Sequence, residues 1–209
     1  MHASPLAHHF ESLEKQTHAA RLGMWLFLAT EILLFTALFA AYALYRFLFP
    51  EAFAEASRGL ETWIGFVNTI ILVTSSFTVA TGLHFATKGD GRKTGLYFFV
   101  SVLFAVAFLA LKAVEYSHHV HEGQLPGPYY TYEGLTLPGA PMYFTLYFLI
   151  TGLHAIHVIV GMTVLVVIGW LAWRGRYTPA YHVPVELGAL YWHLVDLIWI
   201  FVFPLIYLI

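Results

Sequence analysis

The 209 residues include no cysteine, 59% hydrophobic side chains and only 11% charged ones, and the formal net charge is −2. An ordinary soluble domain is about half apolar and about a quarter charged, so water is not the main solvent of this chain. The missing thiols exclude disulfides, thiolate metal sites, iron–sulfur clusters and c-type haem attachment, and the absence of a basic face argues against nucleic acid as a partner.

Residues 1–20 read as a polar tail on the cytosolic side, without fixed structure. Glu11 and Glu14 beside a single Lys15, with no small-residue cleavage site, do not make a signal peptide. Residues 21–209 read as one all-α domain, an integral membrane bundle of five transmembrane helices. The apolar runs are Leu22–Phe49, Leu60–Ala86, Thr94–Tyr116, Pro141–Trp173 and Glu186–Leu208, each reaching the ~20 residues that cross a bilayer. Backbone groups in lipid must bond within their own segment, and the alternation of a barrel strand is absent, so the runs must be helices. The intervening segments, Pro50–Gly59, Thr87–Lys93, Ser117–Ala140 and Arg174–Val185, read as loops. Lys15, Arg21, Lys88, Arg92, Lys93, Arg174 and Arg176 fall on one side, against Arg46 and Arg58 on the other. That bias places the N-terminus in the cytosol and the C-terminus outside.

Ionisable groups inside such spans are costly and need a partner or a purpose. Glu31 lies near the midplane of the first span. Asn68, Ser75 and Gly82 recur every seven residues in the second, where small and polar side chains let helices approach and bond. In the third, Ser101, Ala105, Phe108, Lys112 and Glu115 share a face, and Lys112 and Glu115 are spaced to form a structural ion pair. Thr151, His154, His157 and Gly161 share a face of the fourth span, and Glu186, His193 and Asp196 share one of the fifth, with His193 spaced to pair with Asp196. The midplane acids Glu31 and Asp196 are read either as interhelical glue or as functional sites, and His154, His157, His193 and Glu186 are the further functional candidates within the membrane; no catalytic residue is assigned. A b-type haem would need two facing histidines, such as His154 with His84 or His193, but nothing in the spacing demands it. No metal is assigned, and His118, His119, His121 and Glu122 read as a solvated loop.

Several of these runs closely resemble one family. Thr151-Gly152-Leu153-His154-Ala155-Ile156-His157-Val158 with Gly161, then His182, Glu186 and Tyr191-Trp192-His193-Leu194-Val195-Asp196-Leu197-Ile198-Trp199, resemble subunit III of haem-copper cytochrome oxidases. Arg21-Leu22-Gly23-Met24 leading to Glu31-Ile32-Leu33-Leu34-Phe35, then Asn68-Thr69 and Lys112-Ala113-Val114-Glu115-Tyr116, agree in the same order. The likeness runs from Arg21 to Tyr207. The family's long form has seven helices, the first two walling a lipid cleft, and this chain resembles its five-helix bacterial form.

The resemblance implies a non-redox accessory subunit in a bacterial cytoplasmic membrane. Its direct partner would be subunit I, which holds haems and copper and pumps protons, with subunit II beside it and a small fourth subunit or a supercomplex beyond. The chain itself would bind no haem or copper but would associate with phospholipid, steady subunit I and support proton uptake. Under this reading His8, His9, His18 and His182, near Glu11, Glu14, Asp90 and Glu186, form a proton-collecting group on the cytosolic side. The alternatives are subunit III of a quinol oxidase, disfavoured by Glu31 and Asn68-Thr69, and a proton-coupled transporter, which would show repeats and broken helices.

Overall fold

The computed structural model describes residues 6–8 and 10–208. They form six α-helices, α1 (Leu13–Leu48), α2 (Pro50–Arg58), α3 (Thr62–Thr87), α4 (Gly91–His121), α5 (Ala140–Trp173) and α6 (Val183–Tyr207), with one 3-10 turn at Gly127–Tyr129. All but α2 are long and apolar enough to cross a membrane, which is the five-span, all-α architecture the hydropathy predicts.

Three segments differ from the sequence reading, each where local hydrogen bonds outrun hydropathy. Helix α1 begins at Leu13, so the tail expected over residues 1–20 is partly helical. The Ser12 hydroxyl caps the helix by accepting from the Lys15 backbone N–H, and Glu11 pairs with Lys15 one turn on; both devices hold a helix in water without an apolar face. The expected loop at Pro50–Gly59 is α2. Proline sits in its first turn, Ala52, Phe53, Ala56 and Ser57 are buried, and Glu51, Glu55 and Arg58 are exposed. That is an amphipathic helix too short to span, lying across the bundle end. Finally, α4 runs on to His121, so the loop expected from Ser117 begins at Glu122.

Helices α3, α4, α5 and α6 form a four-helix bundle, each packed against its chain neighbour, with α3 also against α6; α1 lies outside, against α5 and α6. The bundle has two ends. One carries α2, and the other carries the α3–α4 turn with the starts of α1 and α6. Trp192, Trp199, Tyr143, Tyr147, Phe98 and Phe108 are fully buried between the helices. In lipid the cohesion comes from this close packing and from bonds between helices rather than from water exclusion. At the α2 end, Ser57 and Tyr143 hydroxyls each donate to the Ile206 carbonyl at 3.0 Å. These bonds satisfy a carbonyl in the last turn of α6 and fix α2 to the bundle.

Candidate functional site

Among the described residues, three polar groups of the membrane-spanning region involve its ionisable side chains. The first is the Lys112–Glu115 pair of α4, with Nζ 3.1 Å from Oε2. One helical turn separates the two residues, as the spacing predicts. The Lys112 ammonium also donates to the hydroxyls of Tyr147 (3.0 Å) and Tyr207 (2.8 Å), and both hydroxyls donate to Glu115 Oε1. The rings of Tyr116, Tyr147, Trp199 and Tyr207 surround the ammonium at 4.9–5.6 Å. A cation almost removed from water is thereby matched by a carboxylate, two hydroxyls and four π faces. His119 continues the network toward the α2 end. Its Nε2 lies 4.0 Å from Glu115 Oε1, and its Nδ1 bonds Gln124 Oε1, whose amide donates to Glu122. His119 is therefore a buried helical residue rather than part of a solvated loop. His118 instead turns outward to Glu61 at 3.3 Å.

The second group is Glu31 with His157. Glu31 stands at the middle of α1, and its Oε2 lies 2.7 Å from His157 Nε2 on α5. His157 Nδ1 lies 2.8 Å from the Leu153 carbonyl. A carbonyl only accepts, so Nδ1 carries a hydrogen. The contact at Nε2 then needs one more proton, held either by the acid or by the imidazole. In both forms the pair is neutral overall and shares a single proton, the least costly way to keep an acid at this depth.

The third group lies where α6 meets α3. Trp192 Nε1 donates to the Ser75 hydroxyl at 2.9 Å and Trp199 Nε1 to the Thr69 hydroxyl at 3.1 Å. His193 Nδ1 bonds the Ser76 hydroxyl at 2.7 Å, not Asp196. The expected His193–Asp196 pair is thus corrected: the Ser76 hydroxyl of α3 takes the imidazole's bond, and Asp196 stays buried near the same serine. Both Asp196 carboxylate oxygens lack a hydrogen-bond partner among the described residues, as do both nitrogens of His154 and the side-chain amide of Asn68. His154 sits between the rings of Phe108 (5.7 Å) and Trp199 (5.2 Å). Glu186, placed with His193 and Asp196 by periodicity, is in the first turn of α6 and accepts from Arg21 at 2.8 Å.

His18 and His182 lie at this same α3–α4 turn end; His18 is exposed, and His182 Nδ1 donates to the Pro179 carbonyl. His8 is exposed just before α1, and His9 falls outside the described residues. Among the described residues no three of His, Asp and Glu converge as a metal-ligand set. Periodicity missed Tyr147, Tyr207, Ser76 and Arg21. The signal that could have found the tyrosines is Tyr143 with Tyr147, two hydroxylated rings one turn apart on the inward face of an apolar helix.

The family model described as cytochrome c oxidase subunit III matches residues 6–209. The chain is 32% identical over 187 residues to the cytochrome c oxidase subunit 3 of a Synechocystis species, covering 89% of this chain and 74% of that one. It is likewise 32% identical to that of a Bacillus species over 189 residues, 90% of this chain and 84% of the relative. With the protein of the same name from Marchantia polymorpha the identity is 32% over 195 residues, 90% and 67% of the two chains.

Proposed function

The chain belongs to the cytochrome c oxidase subunit III family, whose members are accessory subunits of haem-copper oxidases, and from this we propose that it supports electron transfer from cytochrome c to oxygen without performing a redox step. In this reading it sits in a bacterial cytoplasmic membrane with its N-terminus inside. It packs directly on subunit I beside subunit II, which hold the haems and copper, and it carries phospholipid but no metal of its own. A small fourth subunit or a supercomplex completes the assembly. Its effect on turnover is indirect. It steadies subunit I, and the cytosolic-side histidines and carboxylates (His8, His9, His18 and His182 with Glu11, Glu14, Asp90 and Glu186) form a proton-collecting group near the uptake entrance.

The observation that carries this reading is the separate engagement of the inner histidines. His157 bonds Glu31, His193 bonds Ser76, and His154 packs against two rings, an arrangement that supports a chain without a haem of its own. The test is purification through a tag on this chain in mild detergent. Haem proteins are expected to accompany it and the chain alone to be colourless; a haem spectrum in the isolated chain would overturn the proposal. Oxygen consumption by intact and subunit-stripped complex, followed from about pH 6 to 9, spans the range over which free protons become scarce. The stripped form is expected to slow progressively more as pH rises, whereas a constant rate ratio would remove the proton-collecting role.

A further inference from the structure

The α3–α4 turn and the last turn of α5 enclose an open pocket of about 500 Å³ to which neither the ion pairs nor the oxidase role assigns a purpose. Glycine makes this approach possible. A Cβ on Gly91 would lie 2.2 Å from the Ala172 carbonyl oxygen, so the start of α4 rests directly on the backbone of α5. The contact gathers Lys88, Arg92 and Arg174 around one concavity with Trp173 on its wall.

Only one acid, Asp90, lines the pocket, and it is already engaged. It caps α4 by accepting from the Lys93 backbone N–H and pairs with the Lys93 ammonium at 3.0 Å; these contacts hold its carboxyl below the usual carboxylate range, the backbone bond first. The side chains of Lys88 and Arg92 have no ion-pair or hydrogen-bond partner among the described residues, and the Arg174 guanidinium only covers the Trp170 ring at 5.1 Å.

The ends of α3 and α5 present carbonyls, which account for Lys88 and Arg174 as ordinary helix-end cations. They do not account for Arg92. It is the second residue of α4, where the helix dipole is positive and repels a cation. A site rich in unpaired cations, one of them at the wrong helix end, is complementary to an anion.

Beside the cations runs an apolar strip. Trp170 is 53% exposed, Trp173 45% and Leu96 51%, and Phe99 lies against Trp173. Indole rings at this level match the headgroup region of a bilayer, and a basic pocket between transmembrane helices is suited to an anionic headgroup. A soluble phosphate would have no use for the strip, whereas acyl chains would follow it into the membrane. We propose that Lys88, Arg92 and Arg174, in the pocket between the α3–α4 turn and the end of α5, bind the headgroup of an anionic phospholipid whose chains lie along Leu96 and Trp173. This deepens the lipid association proposed above and rests on the membrane-spanning reading alone, not on the proton-uptake role.

The test uses the whole oxidase complex, isolated through this chain and placed in phosphatidylcholine nanodiscs. The probes are spin-labelled phosphatidylglycerol and spin-labelled phosphatidylcholine, each at a few mole per cent, and the readout is the motionally restricted fraction of each label. The wild type is expected to restrict the glycerol lipid preferentially. Lys88→Gln and Arg92→Gln should each weaken that preference roughly fivefold, and the triple variant with Arg174→Gln about a hundredfold, from the usual contribution of a basic residue near an anionic surface. Arg58→Gln, at the α2 end, should leave it unchanged. Undiminished preference in the triple variant with normal haem content would overturn the proposal while leaving the oxidase reading intact. Should the triple variant fail to assemble, the two single variants decide, since Lys88 and Arg92 are exposed and their side chains hold no ion pair or hydrogen bond among the described residues. Release of the label by inorganic phosphate, but not by chloride of equal ionic strength, would assign the pocket to a soluble anion and overturn the lipid assignment.

Discussion

Glu31 and His157 show how an acid is tolerated deep in a bundle. Because His157 Nδ1 donates to the Leu153 carbonyl, the 2.7 Å contact at Nε2 holds one shared proton and no net charge. A double-mutant cycle of Glu31→Ala and His157→Ala is expected to give a coupling of about 0.6–1.7 kcal/mol, between the average and the largest value typical of hydrogen bonds between membrane helices. Glu31→Gln should keep most of the stability, since an amide N–H can donate to the neutral imidazole. Unfolding of the full chain by an anionic detergent in mixed micelles measures both, and additive single effects would show that the contact contributes nothing. Sequence spacing identified each member of this pair but not the pairing, because α1 and α5 are distant in the chain. For His193 it suggested a neighbour on the same helix, and the bond to Ser76 on α3 replaced it.

At the scale of elements, backbone packing separates one glycine from another. A Cβ at Gly91 would meet the Ala172 carbonyl at 2.2 Å, and that oxygen belongs to a helix backbone that cannot rotate away. Gly91→Ala is therefore expected to destabilise the chain by about 1–3 kcal/mol, as overpacking does. Gly23, inside α1, has nothing within 4 Å of the corresponding position. Gly23→Ala should be neutral or stabilising by up to about 1 kcal/mol, through the better helix propensity of alanine. Detergent-unfolding midpoints of the two variants check this, and equal midpoints would mean that α4 and α5 are not in firm contact at that end. The long apolar helices were legible because hydropathy alone defines them. Helix α2 was not, since a nine-residue helix buries its apolar face only against neighbours supplied by α1, α5 and α6.

For the whole molecule, the distribution of lysine and arginine predicts which way the bundle faces, and the lack of native cysteine makes a direct test possible. Thr87→Cys lies at the α3–α4 turn and Tyr129→Cys in the connection between α4 and α5; both native residues are exposed. A membrane-impermeant maleimide added to intact cells is expected to label Tyr129→Cys, and to reach Thr87→Cys only after the membrane is opened. The reverse pattern would invert the orientation and place the pocket of Lys88, Arg92 and Arg174 outside.

The sequence by itself determined the five spans, the Lys112–Glu115 pair and the family, because apolar length, one-turn spacing and ordered motifs are properties of contiguous residues. Only the tertiary structure decided that Glu31 meets His157, that Tyr147 and Tyr207 close around Lys112, and that His193 bonds Ser76 of α3. It also drew Lys88 and Arg92 up to Arg174, some eighty residues further along the chain. Each of these depends on how helices rotate about their axes when they pack. The pattern within a helix fixes which face turns inward, but which residue of another helix lies opposite is set by close packing among Trp192, Trp199, Phe98 and their neighbours.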